Sequence, residues 1–99
     1  MASYRVSRPA QRDLDDIWDF YERRFGETGA DQQLARLQES FQLLADQPYA
    51  GVPHPEYESH LRSHVAPRSR YVIFYFPREY GIEVARVIHG SRDIISQFL

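Results

Sequence analysis

RYVIFYFPREYGIEVARVIHGSRD, residues 70–93, is the segment around which the rest of the chain is arranged. Tyr71 to Phe76 is aromatic and β-branched on both faces, the composition of a central strand covered on at least one side. Pro77 to Gly81 carries turn punctuation, so the two apolar runs are expected to form a β-hairpin with Pro77–Gly81 as its loop. In the second arm, period-two alternation puts Ile82, Val84, Arg86 and Ile88 on one face, and Glu83, Ala85, Val87 and His89 on the other. Arg86, His89 and, just beyond, Arg92 are polar where a covered strand would be apolar. A fixed charge at mid-strand requires solvent or a partner.

Working outward, Leu61 to Val65 reads as a further strand, turned into the hairpin through Pro67 to Ser69. Before it, Pro48 to His60 (PYAGVPHPEYESH) holds three prolines and a glycine. It is expected to be an ordered surface loop with no regular element, anchored by Tyr49, Val52 and Tyr57. The N-terminal half reads as helix. Ser7 is placed to cap a helix that carries Pro9 in its first turn, where a missing N–H costs nothing. Ala10, Leu14, Ile17, Trp18, Tyr21 and Phe25 recur at helical steps as one apolar stripe, with Trp18 expected in the core, and Gly26 ends it. A second helix starts near Thr28 and carries Ala30, Leu34, Leu37, Phe41 and Leu44 before Pro48 stops it. The linker from Gly26 to Thr28 is short enough to impose an antiparallel helical hairpin. Tyr4 to Val6 precedes all this as a short strand.

The expected fold class is therefore α+β, in the order strand, helical hairpin, three-stranded antiparallel meander. Residues 1–99 form a single domain, because a chain of 99 residues has room for one core. The helices are expected to cover one sheet face. No element is left over for the other, so that face should be polar or an interface. The tail, with Ile94, Ile95, Phe98 and Leu99, reads as either a short packed helix or a hydrophobic end.

Composition removes several function classes. The chain is 42% hydrophobic and 14% aromatic, which excludes disorder. It has no cysteine, hence no disulfide, no thiolate metal site and no thiol nucleophile, which fits a reducing cytoplasm. No stretch is apolar enough to span a membrane, and the N-terminus lacks a signal-peptide core. His60 and His64 lie four apart in a strand context, where that spacing does not converge on a metal as it would on a helix. No metal and no cofactor are expected. All twelve basic residues are arginine. Residues 1–60 carry six of them against eleven acids, a balance of −5, and residues 61–99 carry six against three, a balance of +3. The strand half should thus meet something anionic, either nucleic acid or an acidic protein segment, yet +3 is too little for a general DNA coat.

Taken together, Tyr4, Ser7, Ala10, Asp13-Leu14, Ile17 and Tyr21, then Leu44-Ala45, Pro48 and Gly51, then Leu61-Arg62, then Tyr71 with Ile73-Phe74-Tyr75, then Arg86-Val87, His89 and Arg92-Asp93 form a pattern. It resembles that of the RelE/ParE toxins of bacterial toxin–antitoxin modules, and within them the ParE branch. The resemblance runs from Tyr4 to Asp93. It implies a growth-inhibiting toxin silenced by an adjacent ParD-like antitoxin in a hetero-oligomeric complex. ParE-branch members act on DNA gyrase, whereas RelE-branch members are ribosome-dependent endoribonucleases.

Which branch applies can be argued from chemistry. Cleaving RNA through its own 2′-OH requires a proton acceptor, a proton donor and cations at the scissile phosphate. RelE-type enzymes use lysines, arginines and a C-terminal tyrosine. Here there is no lysine and no tyrosine after Arg92; Phe98 cannot donate a proton. If the chain were an endoribonuclease, Arg62, Arg86, His89 and Arg92 would be its catalytic candidates. The missing groups favour a gyrase-binding toxin. Arg62, Arg70, Arg86, Arg92 and Phe98 are then candidates for contact with antitoxin or target. Two roles stay open for Arg86 and Arg92, since arginine suits structural pairing, here with Glu83, Asp93 or the helix acids, as well as target contact. His89 reads as a hydrogen-bonded fold residue more readily than as a catalyst.

Overall fold

A computed structural model describes residues 1–91 of the 99. The elements run β1 (Ser3–Val6), α1 (Arg8–Asp46), β2 (Val52–Pro53), β3 (Arg62–Val65), β4 (Tyr71–Arg78) and β5 (Gly81–His89). The fold class is α+β, as the sequence implies. The tail that bears Arg92, Ile94, Ile95, Phe98 and Leu99 lies outside the described residues.

Although α1 spans 39 residues, its backbone leaves helical geometry at Gly26 (φ 75, ψ −179). A straight helix of that length would measure about 58 Å, yet the longest dimension of the chain is 38 Å. The Trp18 indole N–H also donates to Asp31 Oδ1 at 3.0 Å. Thirteen residues along one straight helix would part those groups by about 20 Å. The two arms, 8–25 and 27–46, therefore fold back on each other as the expected hairpin. Its joint is tighter than the expected linker from Gly26 to Thr28: Gly26 alone makes the turn, in backbone space that only glycine enters easily. Gly29 completes it, since a Cβ there would lie 2.5 Å from Phe25 Cβ. At this tip the apolar stripe fails as a guide. Phe25 is 65% exposed, and Trp18 is only half-buried, its indole bridging the two arms.

The sheet has five strands in the order β1-β5-β4-β3-β2. β4 lies at its centre, antiparallel to both β5 and β3, and β1 adds in parallel to β5. Two boundaries differ from expectation. Pro77 pairs with Ile82 inside the hairpin, so the loop is only Glu79 and Tyr80. Within the proline-rich segment, Val52 and Pro53 pair with Ser63 and Arg62 as a two-residue edge strand, a position where proline's missing donor is harmless.

A register shift falls where Phe74 and Tyr75 oppose β5 residues 84–86. The extra residue resets the alternation. Ile82, Val84 and Val87 all join the helix-side core, while Ala85 and Ile88 face the other way. The simple alternation, which separates Val84 from Val87, is overturned by this bulge. The helix-side core gathers Ala10, Leu14, Ile17, Leu37, Phe41 and Leu44 against Ile73, Tyr75, Ile82 and Val84.

The far face is not bare. Leu61, Phe74 and Ile88 are buried there, with Tyr57 from the 54–61 loop packed on them. His54 stacks on Tyr57 and tilts against Phe74, with centroids 5.5 and 6.0 Å apart. The loop expected to lie on the surface thus covers the centre of that face. Near its β2–β3 edge, Val52 and Val65 remain exposed.

Candidate interaction site

β1 stops at Val6, so β5 beyond Val84 has no strand beside it on that side. The start of α1 fills the gap. Ser7 N–H donates to Val84 O at 3.0 Å and its hydroxyl donates to Ala85 O at 2.9 Å. The same hydroxyl oxygen accepts from Ala10 N–H, the N-cap bond expected of this serine. One turn on, the Asp13 carboxylate accepts from Arg86 Nε at 2.7 Å, Arg86 Nη2 at 2.9 Å and Val87 N–H at 2.9 Å. The bonds from Asp13 hold Arg86 more firmly protonated than an ordinary guanidinium. Of the two roles open to Arg86, the structure shows the structural pairing.

Arg62 is occupied as well. Its Nη1 donates to Tyr49 O (3.0 Å) and Gly51 O (2.7 Å), and its guanidinium lies 5.0 Å from the Tyr49 ring centroid. Beside it the buried Tyr75 hydroxyl accepts from Gly51 N–H at 2.9 Å and donates to Pro48 O at 2.8 Å. Burial pushes this phenol's pKa up, against the opposing pull of the Gly51 N–H. Arg62 and Tyr75 together staple the 48–51 turn to the sheet. Only glycine fits at position 51, where a Cβ would meet the Tyr75 hydroxyl at 2.5 Å and Ser63 O at 2.6 Å.

Arg62 and Arg86 stand opposite Tyr75 and Phe74 respectively, with β4 between them. Their side chains are drawn apart, one toward the 48–51 turn and the other onto α1. His89 packs edge-on to Tyr71 at 5.4 Å, and its Nδ1 accepts from Ser91 N–H and from the Ser91 hydroxyl. That pattern places the ring proton of neutral His89 on Nε2. An open cleft of about 550 Å³ separates β5 from the first arm of α1, lined among others by Asp13, Asp16, Asp19, Phe20, Tyr71 and His89. Arg70 is exposed, and its guanidinium has no ion pair or hydrogen bond among the described residues. Arg92 and Phe98 fall outside those residues.

Sequence reasoning missed two pieces of this arrangement. Asp13 is one of the helix acids open to Arg86 there, and nothing local singles it out as the partner of a residue 73 positions away. The His54 imidazole bridges Glu56 (Nδ1 to Oε2, 3.2 Å) and the Ser63 hydroxyl (Nε2 to Oγ, 2.6 Å). A carboxylate can only accept, so in the neutral ring Nδ1 carries the proton and Nε2 accepts from Ser63. The Glu56 carboxyl is held below its ordinary value by its own backbone N–H and then by His54.

An N-terminal strand, a helical hairpin and a mixed five-stranded sheet with a central antiparallel meander define the class: a RelE/ParE-like α+β toxin fold. A solved chain described as a chromosomal ParDE toxin–antitoxin system from P. aeruginosa shares this fold, with a TM-score of 0.74 over 90% of this chain and 96% of that one at 22% identity. The model of the ParE toxin of the type II toxin–antitoxin system parDE matches residues 4–94. Toxin ParE1 of Caulobacter vibrioides is 34% identical over 95 residues, covering 94% of both chains. Toxin ParE1 of Mycobacterium tuberculosis is 31% identical over 91 residues, covering 92% of both. The chain belongs to the ParE toxin family of type II toxin–antitoxin systems.

Proposed function

We propose that this toxin arrests growth by binding DNA gyrase and is neutralised by a ParD-like antitoxin in a cytoplasmic hetero-oligomeric complex. Residues 1–99 act as a single toxin domain in this reading. One observation carries the choice of a binding toxin over an RNA-cleaving one. Two of the three arginines that a nuclease would direct at the scissile phosphate, Arg62 and Arg86, have guanidiniums engaged by the Tyr49 and Gly51 carbonyls and by Asp13. Releasing either one would break bonds that hold the fold. Arg70 is the exposed member of the candidate contact set among the described residues. Arg62 and Arg86 contribute through the surfaces they hold in shape, and Arg92 and Phe98 contribute from the tail.

Purified toxin should inhibit supercoiling by purified gyrase, and its induction without antitoxin should raise the DNA damage response. Cleavage of mRNA in a translating extract, lost in His89→Ala, would replace this reading with that of a ribosome-dependent endoribonuclease. Absence of growth arrest on induction would mark the chain as a partner-binding module without toxicity.

A further inference from the structure

We infer that the β3–β4 turn, with the valine row beside it, is a docking surface for an acidic, aliphatic segment of the antitoxin; this rests on the reading of the chain as an antitoxin-bound toxin. From Leu61 to Arg78 the sequence contains four arginines and no acid. Two of the four are committed, Arg62 to the 48–51 carbonyls and Arg78 to Glu83 at 2.7 Å. Arg68 and Arg70, in the turn between β3 and β4, are exposed and have no ion pair or hydrogen bond from their guanidiniums among the described residues. The two arginines of residues 61–78 whose guanidiniums are not engaged therefore both lie in this one turn.

Apolar surface adjoins it. Val65 precedes Arg68 by three positions and pairs with the half-buried Val72. Ser63, two residues back on the same face, pairs with Val52. Val52 and Val65 are each 61% exposed, although both sit on the face whose centre is buried. β2 pairs only with Arg62 and Ser63, so the outer edge of His64 and Val65 has no strand against it among the described residues. An extended segment can lie along that edge. Its aliphatic side chains would cover the valines and its carboxylates would meet Arg68 and Arg70. Two unpaired cations are too few to hold a nucleic acid by phosphate neutralisation alone, and the valines would gain nothing from phosphates. Charge complementarity thus selects an acidic protein segment.

The test measures association and dissociation of the full chain with the antitoxin encoded beside it, at low and high salt. Arg68→Glu with Arg70→Glu should slow association about tenfold or more at low salt and flatten its salt dependence. Val65→Asp should speed dissociation about tenfold or more. Thermal unfolding of the free variants should match the parent, because these side chains are exposed. A Glu→Arg change in the antitoxin that restores binding to the charge-reversed toxin would identify the matching carboxylate. Unchanged kinetics in both toxin variants would overturn the inference while leaving the antitoxin reading intact. Failure of the parent chain itself to bind would overturn that reading instead. Binding of a single-stranded oligonucleotide that depends on Arg68 and Arg70, with antitoxin binding unaffected, would assign the surface to nucleic acid and overturn the inference.

Discussion

Asp13 and Arg86, 73 positions apart, meet through two parallel hydrogen bonds of 2.7 and 2.9 Å, and the same carboxylate accepts the Val87 N–H. This joins the first helical arm to the bulged strand where β1 no longer covers it. Asp13→Ala removes the acceptor of a strand N–H and two bonds from a partly buried guanidinium, so it should destabilise the fold by about 1.5–3 kcal/mol in chemical denaturation. Arg86→Lys, unable to form the two-pronged contact, should lose part of that. Because the pairing raises the pKa of Arg86, the guanidinium's contribution is present at neutral pH and is lost as pH rises past the arginine range. The deficit of Arg86→Lys should therefore be flat from about pH 5 to 9, where both cations stay charged. A strong slope there would mean that other groups carry the contact.

The Tyr75 staple makes a second prediction. Tyr75→Phe removes the donor to Pro48 O and the acceptor for Gly51 N–H, and should cost about 1–3 kcal/mol. The folded-state pKa of this phenol is raised, so its neutral form is favoured on folding. That contribution is full below the unfolded tyrosine pKa, near the ordinary value of 10.0, and is lost as pH rises through the higher folded one. Stability of the parent should accordingly fall more steeply above that point than that of Tyr75→Phe. Equal alkaline slopes would count against the buried phenol.

Gly51→Ala should cost about 1–3 kcal/mol by overpacking against Tyr75. Combined with Tyr75→Phe, it should cost less than the two single changes together, since removing the hydroxyl relieves one collision. Strict additivity in a double-mutant cycle would show that the clash with Ser63 O dominates.

The helical hairpin depends on its two glycines in different ways. Gly26→Ala forces a side chain into a backbone conformation that L residues rarely adopt and should cost about 1–3 kcal/mol whatever else is changed. Gly29→Ala collides with Phe25 Cβ, a side-chain atom that can yield only if the helix tip shifts. Because a Cβ cannot rotate out of the way, the cost should be no smaller than that of Gly26→Ala and should show as loss of amide-exchange protection near the tip.

In the core, Leu37→Ala or Ile17→Ala should cost roughly 2–5 kcal/mol, because both side chains are buried in the helix-side cluster. Phe25→Ala, by contrast, should cost little, since the ring is mostly exposed. Thermal or denaturant unfolding of the three variants ranks them directly.

Much of this architecture is legible in the residues themselves. Ser7 as an N-cap, Gly26 as the break between helical arms, the stripe from Ala30 to Leu44 and the β-rich run from Tyr71 to Phe76 are all local signals. Capping, backbone freedom and periodicity are settled by a few neighbouring residues, so a sequence determines them by itself. The arginines at positions 62 and 86 are legible too, but only as charges in need of partners. Tertiary structure alone decided that Asp13 and the 49–51 carbonyls are those partners. It also decided that the bulge turns Val84 and Val87 to the same side, and that the 54–61 loop closes over Phe74 while Val52 and Val65 stay open to solvent. These outcomes depend on register and on contacts between distant segments. Several arrangements satisfy the same local preferences, and the one adopted is the one that satisfies the polar groups and buries the apolar ones together.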